Sequence, residues 1–316
     1  MKSFGPVPSR RLGRSLGVNN IPPKVCSYSC VYCQLGRTLH MQSKRDEFYH
    51  LNDLCRDVVK RVSEVRKDNE RIDYITFVPD GEPTLDINLG KEIIQLQSLG
   101  IKIAVISNGS LMWRNDVRND LLNSDWVSIK IDAVSEAFWR KIDRPHRLLK
   151  HKSIMKGIKD FTEIYDGELV TETMLLQGIN DGYEEVERVA EFIADLNPAK
   201  AYIAIPTRPP AENWVKPPEE SIINRTYHIF KEKLKQVEYL IGYEGNAFSS
   251  TGNIIDDLLN ITSVHPMREE AVNELLRKTG SNWHVIEKLI EDRKIIKTEY
   301  RGNKFYIRKL SSLNIE

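Results

Sequence analysis

Cys26-Ser27-Tyr28-Ser29-Cys30-Val31-Tyr32-Cys33 sets three thiols in one short stretch, with gaps of three and two residues. A loop this short can turn its side chains inward, so three thiolates can share one metal centre. A fourth thiolate would close such a centre. Three hold only three corners of an iron–sulfur cube and leave one iron open to a ligand. The alternative is a structural zinc site with His40 as fourth ligand, although zinc sites more often use two separated cysteine pairs. A disulfide framework fits poorly, because four cysteines are few for 316 residues and the N-terminus does not read as a signal peptide. Tyr28 and Tyr32 fill the intervening positions and suit a loop that shields a cluster from water.

The spacing of Cys26, Cys30 and Cys33, with an aromatic residue before the last, resembles the C-x3-C-x2-C signature of the radical S-adenosylmethionine (SAM) superfamily. The resemblance implies that these three residues bind a [4Fe-4S] cluster and that SAM binds the fourth iron through its amino and carboxylate groups. It implies that the reduced cluster cleaves SAM to methionine and a 5′-deoxyadenosyl radical, which then abstracts a substrate hydrogen. An electron donor such as ferredoxin or flavodoxin becomes an expected partner.

Length and composition set the outer bounds. The chain is long enough for one large domain and a small one. A formal net charge of +1 makes no global electrostatic case for nucleic acid. No apolar run approaches a membrane span, so no membrane partner is expected. Four cysteines, three of them clustered, fit a reducing cytoplasm.

Outward from the cysteines, strands and helices alternate. Residues 4–14 are rich in Pro, Gly and Arg and exclude a helix; Arg10, Arg11 and Arg14 bind a carboxylate or phosphate there, or form a solvated basic arm. A first strand is expected at 15–19. Helical spacing of Leu51, Leu54, Cys55, Val58, Val59 and Val62 predicts a helix over 51–66, with Cys55 as a buried small hydrophobe. Strands follow at 72–78, 101–106, 126–131, 168–176, 200–205 and, short, at 238–243. Helices are expected at 88–99, 114–123, 150–165, 184–196 and 221–234.

The strand ends carry the chemistry. Asp80-Gly81-Glu82-Pro83 follows the second strand and resembles the Gly-Glu-Pro element that receives the SAM amino group, with Asp80 in place of the usual first glycine. Ser107 and Asn108 end the third strand and can reach a ribose or carboxylate. Ser128, Lys130 and Asp132 alternate onto one face of the fourth strand. A lysine and an aspartate in a barrel lumen need partners or a ligand, and a similar pair contacts SAM in glycyl-radical activases. Asn180 sits in a post-strand segment resembling the Gly-x-Asn element that lies over SAM; otherwise it is a turn residue or helix cap. Arg208 falls at the ligand end after the sixth strand. Lys130 and His146 are the two catalytic candidates, His146 otherwise being an ordinary loop histidine. Asp80, Gly81, Glu82, Ser107, Asn108, Lys130, Asp132, Asn180 and Arg208 form the expected SAM site.

Alternating βα units predict a parallel sheet with right-handed crossovers. The family resemblance implies an α/β fold: an open six-stranded (β/α) partial TIM barrel. The expected division is a barrel over 1–250, a linker over 251–264 and a small domain over 265–316; the polar stretch 244–253 reads as linker or lid. In the tail, helices at 267–278 and 283–292, the second capped by Ser281, precede a hairpin turning at Arg301-Gly302-Asn303. This order resembles a winged helix. Eleven basic and eight acidic residues over 265–316 make it only mildly basic, and Glu287, Glu291 and Asp292 on its second helix oppose groove docking, which favours protein or domain contact over nucleic acid.

The chain as a whole resembles radical SAM proteins near the wybutosine-synthesis enzymes, which implies an oxidoreductase or transferase acting on a tRNA base. The Gly-Glu-Pro, Lys-x-Asp and Gly-x-Asn elements resemble glycyl-radical activases, whose substrate is a partner protein's glycine. A metal-sensing winged-helix regulator is the non-enzymatic alternative.

Overall fold

The computed structural model describes residues 2–241, 248, 250 and 253–309; most of the stretch expected as a linker or lid, 244–253, lies outside the described residues. The chain opens with an antiparallel hairpin, β1 (Ser3–Ser9) and β2 (Gly13–Val18), with Ser9 opposite Gly13 and Ser3 opposite Val18. The N-terminal arm is therefore a strand, not a solvated arm, and β2 starts ahead of the expected first strand. Its prolines are tolerated because β1 is the sheet's edge, where a missing N–H breaks no ladder. Phe4 closes the hairpin from above: a side chain at Gly17 would stand 2.0 Å from its ring.

The short pair β3 (Val25–Cys26) and β4 (His40–Met41) brackets the cysteine loop. Then come α1 (Leu51–Lys67), β5 (Tyr74–Phe77), α2 (Leu89–Gln97), β6 (Lys102–Ser107), α3 (Asn115–Leu121) and β7 (Trp126–Lys130). Next are α4 (Glu136–Asp143), α5 (His151–Thr162), β8 (Glu168–Met174), α6 (Tyr183–Leu196), β9 (Lys200–Ala204), α7 (Glu220–Lys233) and β10 (Val237–Leu240). Helix α4 was not foreseen: its apolar residues Phe138, Trp139 and Ile142 fall within two turns beside a polar, Asp- and Arg-rich loop.

One sheet runs β1-β2-β5-β6-β7-β8-β9-β10, parallel throughout except for the β1–β2 pair. The six strands β2 and β5 to β9 make the expected partial barrel, and β1 and β10 extend its two edges. The sheet does not close. Pleating sorts the side chains into two populations. Val127 and Ile129 of β7 join Ile75, Phe77, Ile103 and Val105 in a core packed under the helices. Trp126, Ala104, Val170, Tyr202 and Ala204 point the other way and, with Leu12 and Leu240, line the base of the concave face.

The C-terminal part has its own core. Helix α8 (Ile254–Val264), in the stretch read as linker, is followed by β11 (Met267–Arg268), α9 (Glu269–Lys278), α10 (His284–Glu291), β12 (Ile295–Tyr300) and β13 (Asn303–Arg308). Leu258, Ile261, Val272, Leu275, Ile286, Leu289 and Tyr306 are buried together. The sheet order is β11-β13-β12, so the first two residues of the expected helix at 267–278 are strand. Asn282, not Ser281, receives the first N–H of α10, that of His284, at 3.1 Å. The two-residue turn Arg301-Gly302 has both φ angles positive, as a tight hairpin requires. The tail touches the barrel through Lys278 to Glu70 at 2.8 Å, and Tyr300 donates to the Pro206 carbonyl at 3.2 Å. Among the described residues no helix is long and apolar enough to cross a membrane.

Candidate functional site

The cysteine loop is tied to α4 by its backbone. Ser29 N donates to Asp143 O at 2.9 Å, Val31 N to Ile142 O at 2.9 Å, and His146 N to Ser27 O at 2.9 Å. Val31 is fully buried. Tyr28 meets Trp139 edge-on at 6.0 Å and accepts from its indole N–H at 3.0 Å. Tyr32 donates to Asp132. The aromatic spacers thus anchor the loop, and the three sulfurs turn toward a cavity of about 300 Å³. This is the lower end of the range for small-molecule sites.

Burial raises all three thiol pKa values. The Glu82 charge adds to the effect on Cys26, Asp143 adds to that on Cys30, and Lys24 opposes it at Cys33. Three crowded thiols and a buried carboxylate in a low-dielectric pocket are the donor set that a cationic centre compensates, since metal binding deprotonates the thiols. Among the described residues no three Cys, His, Asp or Glu side chains converge on a single-ion position. His40 bonds through its backbone to Lys24 O at 3.0 Å and lies outside the cavity lining. Three thiols lining one cavity, with no fourth Cys or His in that lining, would suit an iron–sulfur cluster with an open position better than a four-ligand structural zinc.

The strand-end element after β5 approaches the cysteine loop closely. Lys24 N donates to Asp80 O at 2.7 Å and Glu82 N to Val25 O at 3.2 Å. The Asp80 carbonyl is thereby used within the protein. Glu82 is 1% exposed. Its Oε1 accepts from Thr84 N at 3.1 Å, Thr84 Oγ1 at 2.6 Å and Ser107 Oγ at 2.8 Å, and its Oε2 accepts from Asn108 N at 2.7 Å. Every one of these donors is neutral, and burial still raises the Glu82 pKa. A buried carboxylate at a cavity wall, held by neutral donors, suits an ammonium. Asn108 extends the link to the loop, donating to Ser27 Oγ at 3.0 Å and lying 3.6 Å from Cys26 Sγ. Asp80 faces Lys24 at 3.7 Å; burial raises it to about 6 against the pull of that lysine. Asp80 Oδ2 and Lys24 Nζ are buried without a hydrogen-bond partner among the described residues, so both remain available to a ligand.

On the neighbouring strands, Lys130 of β7 and Glu172 of β8 are direct cross-strand partners, with Nζ 2.6 Å from Oε1. Arg11, from the turn between β1 and β2, places Nη1 2.5 Å from the other Glu172 oxygen. Burial alone would raise Glu172, but the charges of Lys130 and Arg11 outweigh it and lower the carboxyl to about 2.

Of the residues expected from sequence, the three cysteines, Asp80, Gly81, Glu82, Ser107, Asn108, Lys130 and Arg208 line this one cavity. Asp132, Asn180 and His146 lie outside the lining. Asp132 sits behind Tyr32 and accepts from Met174 N at 2.8 Å. Asn180 is spent on backbone: its Oδ1 accepts from Leu176 N, and its Nδ2 donates to Asp132 O and Met174 O, all at 2.8 Å. His146 accepts from Leu148 N at 3.4 Å. Sequence reasoning passed over Lys24 and Glu172. The signal for Glu172 was present, since a charged residue in mid-strand, like Lys130, needs a partner.

The profile of the radical SAM superfamily matches residues 20–193, more than half of the chain. This chain belongs to the radical SAM superfamily, whose members are enzymes using a [4Fe-4S] cluster and SAM. It is 49% identical over 312 residues to the UPF0026 protein MJ1312 of Methanocaldococcus jannaschii, covering 98% of this chain and 97% of that one. Its fold is similar to that of a radical SAM methyltransferase from Sphaerobacter thermophilus, at a TM-score of 0.54 and 14% identity over 72% of this chain and 66% of the other. It is likewise similar to a structure of TYW1 with a lysine-pyruvate adduct bound, at a TM-score of 0.50 and 17% identity over 70% and 74%.

Proposed function

We propose that this protein is a hydrogen-abstracting radical SAM enzyme in which Cys26, Cys30 and Cys33 hold the cluster and the Gly81–Glu82 and Ser107–Asn108 segments hold SAM. The observation that carries the reading is the meeting of the three thiols and the Glu82 carboxylate at one cavity. When bound, the cluster and SAM supply reductive cleavage of the C5′–S bond and the hydrogen abstraction that follows. The chain's own residues bind and orient. Glu82 Oε2, which takes the Asn108 N–H, accepts the ammonium of SAM. Lys24, a cation beside Asp80 and Cys33, favours the thiolate form of Cys33. Tyr28, Val31 and Tyr32 keep water from the loop's inner side.

The tail we read as winged-helix-like and as a contact domain. Two of its lysines are engaged within the protein: Lys304 pairs with Glu269 at 3.1 Å and Lys278 with Glu70 at 2.8 Å. A tRNA base, if that is the substrate, is then recognised by the barrel cavity itself and not gripped by the tail.

The test is anaerobic reconstitution with iron and sulfide, reduction with dithionite in the presence of SAM, and chromatography for 5′-deoxyadenosine. Wild type forms it, Cys30→Ala does not, and Cys55→Ala does, because Cys55 is buried on α1 away from the cavity. A protein that holds one zinc and never cleaves SAM overturns the reading in favour of a structural or sensory metal site.

A further inference from the structure

Two cations share one carboxylate on the β7–β8 wall of the cavity. Arg11, Lys130 and Glu172 have side chains 14%, 22% and 10% exposed. Arg11 enters from the β1–β2 turn and lies over the rings of Trp126 and Tyr202, at 5.8 and 6.0 Å, with Nη1 3.5 Å from Ser128 Oγ. A one-to-one pair would be neutral, whereas this triad carries one excess positive charge where water is scarce. The donors are also underused. Among the described residues the Arg11 guanidinium donates through Nη1 alone, leaving Nε and Nη2 for a ligand, and the Lys130 ammonium donates once, to Glu172. An arginine fork fixed by Glu172 and flanked by two aromatic rings is pre-organised for a carboxylate or phosphate.

Lys130 hangs over the Tyr32 ring at 5.0 Å, at the cysteine-loop end. Arg11 lies on the other side of Glu172, among the residues of the concave face. Arg10 and Arg208 line the same cavity.

Resting on the reading of this cavity as a radical SAM site, we propose that the substrate is an anion, whose carboxylate or phosphate group docks on Arg11 and Lys130 along the β7–β8 wall of the cavity. Glu172 sets the geometry of the two cations and leaves them one net charge to offer. This is a positioning site: it fixes which substrate hydrogen faces the cluster end of the cavity.

The experiment is calorimetric titration of the intact protein with inorganic phosphate and with malonate, each with and without saturating SAM. One of the two anions is expected to bind one-to-one with SAM present, more weakly as KCl is added. A preference for phosphate assigns a phosphoryl substrate, and a preference for malonate assigns a carboxylate; either supports the site. Arg11→Gln should weaken that binding at least tenfold. Glu172→Gln, which removes the triad's counter-charge, should tighten it. Opposite signs are the signature, because a merely structural triad would lose affinity and thermal stability in both variants. Failure of both anions to bind, one-for-one displacement of the anion by SAM, or weakening in both variants overturns the proposal. 5′-Deoxyadenosine formation is measured separately. SAM cleavage without anion binding sinks this inference alone, and anion binding without SAM cleavage upholds the docking site while sinking the cofactor reading.

Discussion

Gly81→Ala tests how the cofactor end of the barrel is assembled. A Cβ on Gly81 would stand 1.9 Å from the Val25 carbonyl oxygen, 2.9 Å from its carbon and 2.7 Å from Ile21 Cδ1. Two of the three obstacles are backbone, so no rotamer change relieves them. Ordinary contact requires the two segments to part by more than about 1 Å. That movement breaks the bonds from Lys24 N to Asp80 O at 2.7 Å and from Glu82 N to Val25 O at 3.2 Å. At about 1 kcal/mol for each bond and about 1–3 kcal/mol for overpacking, the loss is about 3–5 kcal/mol. For a chain of this size this lowers Tm by roughly 10 °C. The displacement falls on Val25, which precedes Cys26, and on Glu82, which follows Gly81. Iron bound per chain after reconstitution and SAM affinity should therefore fall together with Tm. Gly182→Ala is the control, because a Cβ there meets nothing within 4 Å. A Gly81→Ala protein with wild-type Tm, iron content and SAM affinity would refute the argument that this close approach holds the site together.

Two further expectations concern stability. Asp86 and Glu92 are both 0% exposed beside Arg45 and Asp120, and burial, with Asp86 repelling Glu92, raises both carboxyl pKa values above the ordinary carboxylate range. The folded protein then binds more protons than the unfolded chain above pH 4.5, so this pair's contribution to stability is present at acid pH and is lost as pH rises through about 7 for Asp86 and about 9 for Glu92. Glu92→Gln should flatten that slope and stabilise the protein at pH 8 by on the order of 1–3 kcal/mol; urea unfolding at pH 6 and pH 8 measures it, and an unchanged slope contradicts it. Asn180→Ala strands Leu176 N, Asp132 O and Met174 O in a buried site. It should cost about 2–4 kcal/mol in thermal or urea unfolding, and a near-neutral effect would show that the asparagine does not hold the β8 exit.

Much of the barrel was legible because its signals are local. Val127, Ile129 and Ile131 alternating with Ser128, Lys130 and Asp132 read as a strand with one polar face; β7 sorts Val127 and Ile129 from Ser128 and Lys130 that way, while Ile131 and Asp132 lie beyond its end. The N-terminal strand was hidden by Pro6 and Pro8, which only an edge position makes acceptable, and edge position is a property of the whole sheet. Helix α8 was hidden in a stretch too short to show much repetition, and its side chains are explained by a core built with β13 and α9. Asn180 carried the right residue type after the right strand, yet its amide is consumed by three backbone groups, a fate that sequence spacing cannot express.

The sequence by itself determined the superfamily and with it the cofactors, because the three cysteines that carry the resemblance fall within one loop and their spacing survives any folding of the remainder. It also determined the αβ alternation, which follows from side-chain periods of 2 and 3.6 residues. Only the tertiary structure decided what surrounds that centre. Arg11 meets Glu172 across 161 residues and Lys130 meets it across 42, through strand register and the fold-over of an edge hairpin. Lys24 faces Asp80 because Gly81 lets two backbones touch. Charges that pair or stay available at this distance are set by long-range packing, so the cysteine spacing was readable in advance and the cationic wall of the cavity was not.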